Sequence, residues 1–221
     1  MKGRIIVSTL LALLLFVSLP MSALAATWDI GKGDITVNAG SGGQTVTQGG
    51  GAAVADDAPV ITGSSTKNTV TINAEKDQTA SVTLSGANID VSNEVKAAVS
   101  TTGEGNVSIE LDGDSTLKSG FTHAGLEKNN GGSLTIADED KNGKLTVEGG
   151  NYGAGIGGGC WKTAQDMNGI NAAHDIYISG GTVTTKGGYN GAGIGGGLYV
   201  PALNITVTGG VVTATGHYER R

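Results

Sequence analysis

The seven residues GAGIGGG occur twice in this chain, from Gly153 to Gly159 and from Gly191 to Gly197. Each copy follows a Gly-Gly pair and a tyrosine-asparagine pair, Asn151-Tyr152 in the first and Tyr189-Asn190 in the second. Looser copies lie upstream at Ala124-Gly125-Leu126 and Ala97-Ala98-Val99, and the steps between Ala98, Ala124, Ala154 and Ala192 are 26, 30 and 38 residues. Strands that close on Gly-Gly, LTVEGG from Leu145, IYISGG from Ile176 and ITVTGG from Ile205, recur at steps of 31 and 29. A period in this range means stacked units, none of which buries its apolar side alone.

From Trp28 onward, short segments such as TVTIN (Thr69 to Asn73), NVSIEL (Asn106 to Leu111) and TVTTK (Thr182 to Lys186) alternate aliphatic with polar residues. That is the period of a strand with one face in and one face out. No stretch carries a capped 3.6-residue apolar period; Asn93 to Ser100 comes nearest and is short. A sandwich of antiparallel hairpins would use turns such as Asp112-Gly113 and Asn142-Gly143, yet it has no reason to reuse one string every thirty residues. The repeat therefore predicts an all-β chain wound as a right-handed single-stranded parallel β-helix, with Leu126, Ile156 and Ile194 stacked inside and glycines of positive φ at tight corners. At about 4.8 Å per strand, roughly six to eight windings make a core some 30 to 40 Å long.

Residues 1–25 read as a cleaved export signal: Lys2 and Arg4, an apolar run from Ile5 to Val17, and Ala23-Leu24-Ala25 before the cut. That run is too short for a strong membrane span. Residues 26–63 are expected to form an N-terminal cap with the first strands, and residues 64–221 the repeat body. At its far end His217 to Arg221 stands where another GAGIGGG is due, so the tail is either a minimal cap or the cut edge of a longer repeat protein. Cleavage removes two of 14 basic residues and none of 20 acidic ones, taking the net charge from −6 to −8. No basic face exists to neutralise phosphates, which excludes nucleic acid as the expected partner. Cys160 is the only cysteine, so no internal disulfide forms; it reads as a small buried filler.

The order WDIGKGDITV, VTLSGANIDV, NVSIELDGDSTL, HAGLEKNNGGSLTI, GKLTVEGG and GAGIGGG resembles the glycine-rich β-helical surface proteins of Gram-positive bacteria described as carbohydrate-binding-domain-containing or adhesin-like. The resemblance covers nearly all of the mature chain. It implies an extracellular or cell-surface, non-catalytic protein that binds a polysaccharide or cell-wall glycan, sometimes with bound calcium.

Four aromatic residues are the candidate carbohydrate contacts: Tyr152, Tyr189 and Tyr199 beside glycine turns, and Trp161 just past the first GAGIGGG. Rings that recur along a rod can stack on successive sugars, although they can equally well shield the turn glycines. Asp138, Asp140 and Asn142 have the D-x-D-x-N-G spacing of a calcium loop, but Gly149 stands where that loop needs a bidentate glutamate, so a solvated turn competes with a Ca2+ site. GAGIGG also satisfies G-x-G-x-x-G, yet no helix follows it as a dinucleotide site requires. Thr-x-Thr pairs at Thr69, Thr182, Thr206 and Thr213 raise ice binding as a minor reading without even spacing. Paired acids for hydrolase or lyase chemistry are not evident, and His123, His174 and His217 show no partner in the sequence. A stalk or surface-layer repeat with no ligand is the principal alternative to glycan binding.

Overall fold

The computed structural model describes residues 25–160 and 173–218. The expected export signal lies almost wholly outside the described residues, and so does Trp161. Apart from a single 3-10 turn at Ile30–Lys32, the described regular structure is all β. Its strands form three sheets of seven, eight and six members, here the first, second and third sheet. Among the described residues no helix is long and apolar enough to cross a membrane.

The chain visits the sheets in rotation. Val70–Ala74 lies in the second sheet, Thr79–Ser85 in the first and Asn88–Asp90 in the third. The next round repeats the order with Val99–Gly103, Asn106–Asp112 and Asp114–Lys118, and the third with Leu126–Lys128, Leu134–Ala137 and Lys144–Glu148. Two more follow: Ile156–Gly157, Ala173–Ile178 and Thr182–Tyr189, then Ile194–Gly195, Ala202–Val207 and Val211–His217. Every pairing between these rounds is parallel. Asp112-Gly113 and Asn142-Gly143 are not hairpin turns; each carries the chain from the first sheet round to the third, and Lys144 N donates to Gly113 O at 2.8 Å.

Parallel register puts like residues over like. Leu126, Ile156 and Ile194 form one column in the second sheet, as the repeat predicts, and Val70 and Val99 continue it. Because Val99 pairs with Leu126, the step between these two is 27 residues rather than the 26 counted at Ala98 and Ala124. Val82, Ile109, Ile136, Ile178 and Val207 form another in the first sheet. Alternation decides the facing: in Thr79–Ser85, Ala80, Val82 and Leu84 are buried while Ser81 and Thr83 stay half-exposed. Each fully buried Val, Leu or Ile contributes about 1.5–3 kcal/mol.

One column carries a polar intruder. Ile89, Leu117, Val147 and Ala214 share theirs with Thr185, which is 1% exposed and whose Oγ1 has no hydrogen-bond partner among the described residues. A buried hydroxyl without a partner costs about 1–3 kcal/mol. Thr185→Val keeps the shape and removes the cost, so it is expected to raise the unfolding free energy by about 1 kcal/mol in a denaturant titration. A loss of stability would mean that the hydroxyl is satisfied.

The N-terminal segment closes one end. Ile35–Gly40 pairs parallel with Val70–Ala74, then Gly43–Gln48 folds back antiparallel across it and Val54–Ala55 adds a second antiparallel strand. Gln44, 6% exposed, donates to Asp56 O and Ser81 O and accepts from Ser81 N at 2.8 Å. Buried Asp56 in turn accepts the Trp28 indole N–H at 2.8 Å. These side chains satisfy backbone and indole groups that the end of the stack would otherwise leave open.

The glycine string behaves differently from the expected corner. Ile156–Gly157 and Ile194–Gly195 are short strands of the second sheet, paired with each other. Within the two strings positive φ occurs only at Gly157 (130°) and Gly195 (136°). The other string glycines serve close approach of successive rounds: a Cβ on Gly155 would lie 2.5 Å from Gly193 O.

Candidate functional site

Each of the last four third-sheet strands leaves its sheet through a corner that carries a ring. Phe121 follows Asp114–Lys118, Tyr152 follows Lys144–Glu148, and Tyr189 and His217 close Thr182–Tyr189 and Val211–His217. Backbone bonds stack these corners: Thr122 N to Asn151 O at 2.8 Å, Tyr152 N to Tyr189 O at 2.9 Å, and Asn190 N to His217 O at 2.7 Å. The rings then form a continuous ladder. Centroids are 5.5 Å apart for Phe121 and Tyr152, 5.6 Å for Tyr152 and Tyr189, and 5.9 Å for Tyr189 and His217, with interplanar angles of 81°, 75° and 74°. Edge-to-face pairs at these distances are worth about 0.5–1.5 kcal/mol each beyond their buried area. Inverted order, Asn-Tyr in one round and Tyr-Asn in the next, is absorbed by left-handed backbone at Tyr152 (φ 70°) and Asn190 (φ 58°).

Beside Phe121 opens a cleft of about 380 Å³ lined by Ser92, Lys118, Ser119, Glu148, Gly149, Gly150 and Asn151. Its charged members belong to a ladder on the outer face of the third sheet, with Lys118 Nζ 3.9 Å from Asp90 and 4.0 Å from Glu148, and Lys186 Nζ 3.1 Å from Glu148. The Ser92 hydroxyl, against the opposing effect of burial, holds the Asp90 carboxyl below its usual range, and Lys118 adds to this. Charges already paired along a face offer polar hydrogen-bonding groups rather than a field of one sign. One ring wall with hydroxyl, amide and paired charged groups suits a neutral, hydroxyl-rich ligand.

Tyr152 and Tyr189, both expected from the sequence, are thus brought together. Tyr199 is not; it stands 62% exposed with positive φ (65°) and makes no ring contact with the ladder among the described residues. Sequence reasoning missed Phe121 and His217 as ladder members. A signal was present, because Phe121 precedes Tyr152 by 31 residues, one repeat step.

The residues of the expected calcium loop are hydrogen-bonded to one another and to the round before. Asp138 accepts from Asn142 N at 3.1 Å and Gly143 N at 3.2 Å, and Asn142 Nδ2 donates to Asp140 at 2.8 Å and Asp112 at 3.2 Å. The acid that joins Asp138 and Asp140 is Glu110 from the round before, the three presenting oxygens within 4.8 Å of one another. Glu110 also accepts Glu139 N at 2.6 Å.

Histidines that looked unpartnered are paired. His123 Nδ1 lies 2.9 Å from Glu127 Oε2, which also accepts Ala124 N at 3.0 Å, and His174 Nδ1 lies 2.8 Å from Asp175. The Asn204 amide and then His174 hold the Asp175 carboxyl below its usual range. Burial pushes the Cys160 thiol up, so it is not an activated thiolate. The threonines are more regular than the sequence suggested: Thr116, Thr146, Thr184 and Thr213 form one outward column, flanked by the charged ladder Lys118, Glu148, Lys186. No family model, curated protein or solved structure matches this chain.

Proposed function

We propose that this protein is an exported, non-catalytic carbohydrate-binding module of the adhesin-like kind, wound as a right-handed parallel β-helix, and that it holds an extended polysaccharide along the Phe121, Tyr152, Tyr189, His217 corner. The observation that carries this reading is the ring ladder, one ring in each of the last four rounds and parallel to the stack, with the polar cleft beside Phe121 at one end. Sugar rings present apolar C–H faces to aromatic surfaces and hydroxyls to groups such as Ser92, Ser119 and Asn151. A ladder with a repeat distance favours a polymer over a single sugar. Its place of action in this reading is the cell surface or the extracellular space.

The test is retention on insoluble polysaccharides and a glycan array, with calcium and with chelator, the chelator arm reporting on Glu110, Asp138 and Asp140. Tyr152→Ala combined with Tyr189→Ala is expected to weaken binding about 30-fold, two ring contacts at about 1 kcal/mol each, with an unchanged circular dichroism spectrum. No retained glycan in either arm rejects the reading. The rival stalk reading is favoured by the rings' contact with one another over glycine corners, and it expects attachment to survive the double substitution intact.

A further inference from the structure

Asp56 is a buried carboxylate without a cation. It is 1% exposed, and its oxygens accept only from neutral donors: Oδ2 from Ala26 N at 3.2 Å and the Trp28 indole at 2.8 Å, Oδ1 from Ala58 N at 3.2 Å. Among the described residues no lysine, arginine or histidine pairs with it. Its surroundings add to the imbalance, because residues 26–63 hold four acids, Asp29, Asp34, Asp56 and Asp57, and a single base, the exposed Lys32. A carboxylate taken out of water is destabilising unless a counter-charge meets it. One of its three donors, Ala26 N, is the atom that the expected export cut turns into a chain terminus. That nitrogen is held in place from its other side, since Ala26 O accepts Val60 N at 2.9 Å where Thr27–Asp29 joins Val60–Thr62.

We propose that cleavage before Ala26 supplies the missing cation: the freed α-ammonium of Ala26 pairs with Asp56 and fastens the N-terminal cap. With a signal-removing protease as catalyst, water adds across the Ala25–Ala26 amide. Its hydroxyl goes to the Ala25 carbonyl carbon and its other hydrogen to the Ala26 nitrogen, and the amine takes one proton more from solvent at neutral pH. The nitrogen already stands beside Oδ2, so a neutral hydrogen bond becomes a charge-assisted one without rearrangement of the cap. Asp56 is tied in turn to Gln44, through Asp56 N to Gln44 O at 3.1 Å and Gln44 Nε2 to Asp56 O at 3.0 Å. The pair therefore joins the edge strand of the first sheet to the antiparallel strand Gly43–Gln48 of the second. The uncut chain has the same contacts and lacks the charge, so the cap tightens only once the leader is gone. The proposal rests on the export reading and is independent of the glycan one.

The full chain expressed in an exporting bacterial host tests both. N-terminal sequencing of the secreted protein is expected to start at Ala26; a retained leader or a cut at another bond would overturn the export reading and the pair together. Unfolding in urea is then compared with a variant in which Gly-Ser is inserted between Ala25 and Ala26, which moves the amine away from Asp56. The native start is expected to have an unfolding equilibrium constant about 10-fold lower, and Asp56→Asn in both chains to abolish the difference. Should Asp56→Asn fail to fold, labelling with 2-pyridinecarboxaldehyde, which condenses with chain-terminal amines, reads the amine directly. The folded native start is expected to react about 10-fold more slowly than the inserted one. With the start at Ala26 established, equal unfolding constants, equal labelling rates or a difference that persists in Asp56→Asn would each overturn the pair and leave export standing.

Discussion

Gly157→Ala is expected to lower the unfolding free energy by about 3–5 kcal/mol, the largest loss from adding one methyl group anywhere in the glycine strings. Two costs combine at this residue. Its φ of 130° lies where a side chain is strained, at about 1–3 kcal/mol. A Cβ there would also overlap the carbonyl oxygen of Gly195 and lie 3.1 Å from the Ala173 Cβ. Backbone of the next round cannot move aside without breaking the Ile156 and Ile194 pairing, so overpacking adds about 1–3 kcal/mol more. Gly42→Ala is the control: nothing lies within 4 Å of the added atom and the change is expected to stay within about 0.5 kcal/mol. Chemical denaturation of the two variants separates register from glycine content. Equally small changes in both variants would show that Gly157 holds no strained, close-packed position against the next round.

The residues that made the repeat visible are the ones whose local role was hardest to read. Alternation in TVTIN, NVSIEL and TVTTK located strands of all three sheets, because a half-buried strand writes its facing every second residue. Most second-sheet strands escaped that test. Ile156–Gly157, Ile194–Gly195 and Leu126–Lys128 are two or three residues long, too short to alternate, and the glycine in the first two signals close approach of neighbouring backbone rather than a turn. Val99–Gly103 is long enough to alternate, but its start overlaps the weak helical pattern that ends at Ser100. The ring ladder was half legible. Tyr152 and Tyr189 flank the duplicated string, whereas Phe121 stands only before the looser copy at Ala124-Gly125-Leu126 and His217 before none, so the stacking of corners is what places them. The N-terminal cap relies on Gln44 and Asp56, polar residues in a segment without apolar contrast, and such residues look like loop until their partners are known.

Lys128 is the site where pH is expected to act most strongly on stability. It continues an inward column of the second sheet, Val37, Ile72, Thr101, Lys128, and is 1% exposed. Its Nζ donates to Asn130 O at 2.8 Å, and Asn130 is itself buried and tied to Thr101 Oγ1 at 2.7 Å and Gly105 O at 2.8 Å. Burial pushes the ammonium down to about 8, opposed in part by Asp175. An unfolded lysine titrates near 10.4. Below about pH 8 both states hold the proton and the full cost of the buried charge is present. Between about 8 and 10.4 the unfolded chain binds the proton and the folded one does not, so stability rises with pH, by about 3 kcal/mol at most. Lys128→Met isolates this contribution from other groups that titrate in the same range. At pH 7 the variant is expected to be more stable by about 2 kcal/mol, the relieved charge less the hydrogen bond lost at Asn130 O. Near pH 10.5 the relief is gone, the lost hydrogen bond remains, and the variant falls about 1 kcal/mol below the parent. Urea titrations of both proteins at pH 7, 9 and 10.5 should therefore cross. A constant difference across that range would place the ammonium in contact with solvent and remove the buried charge from the core.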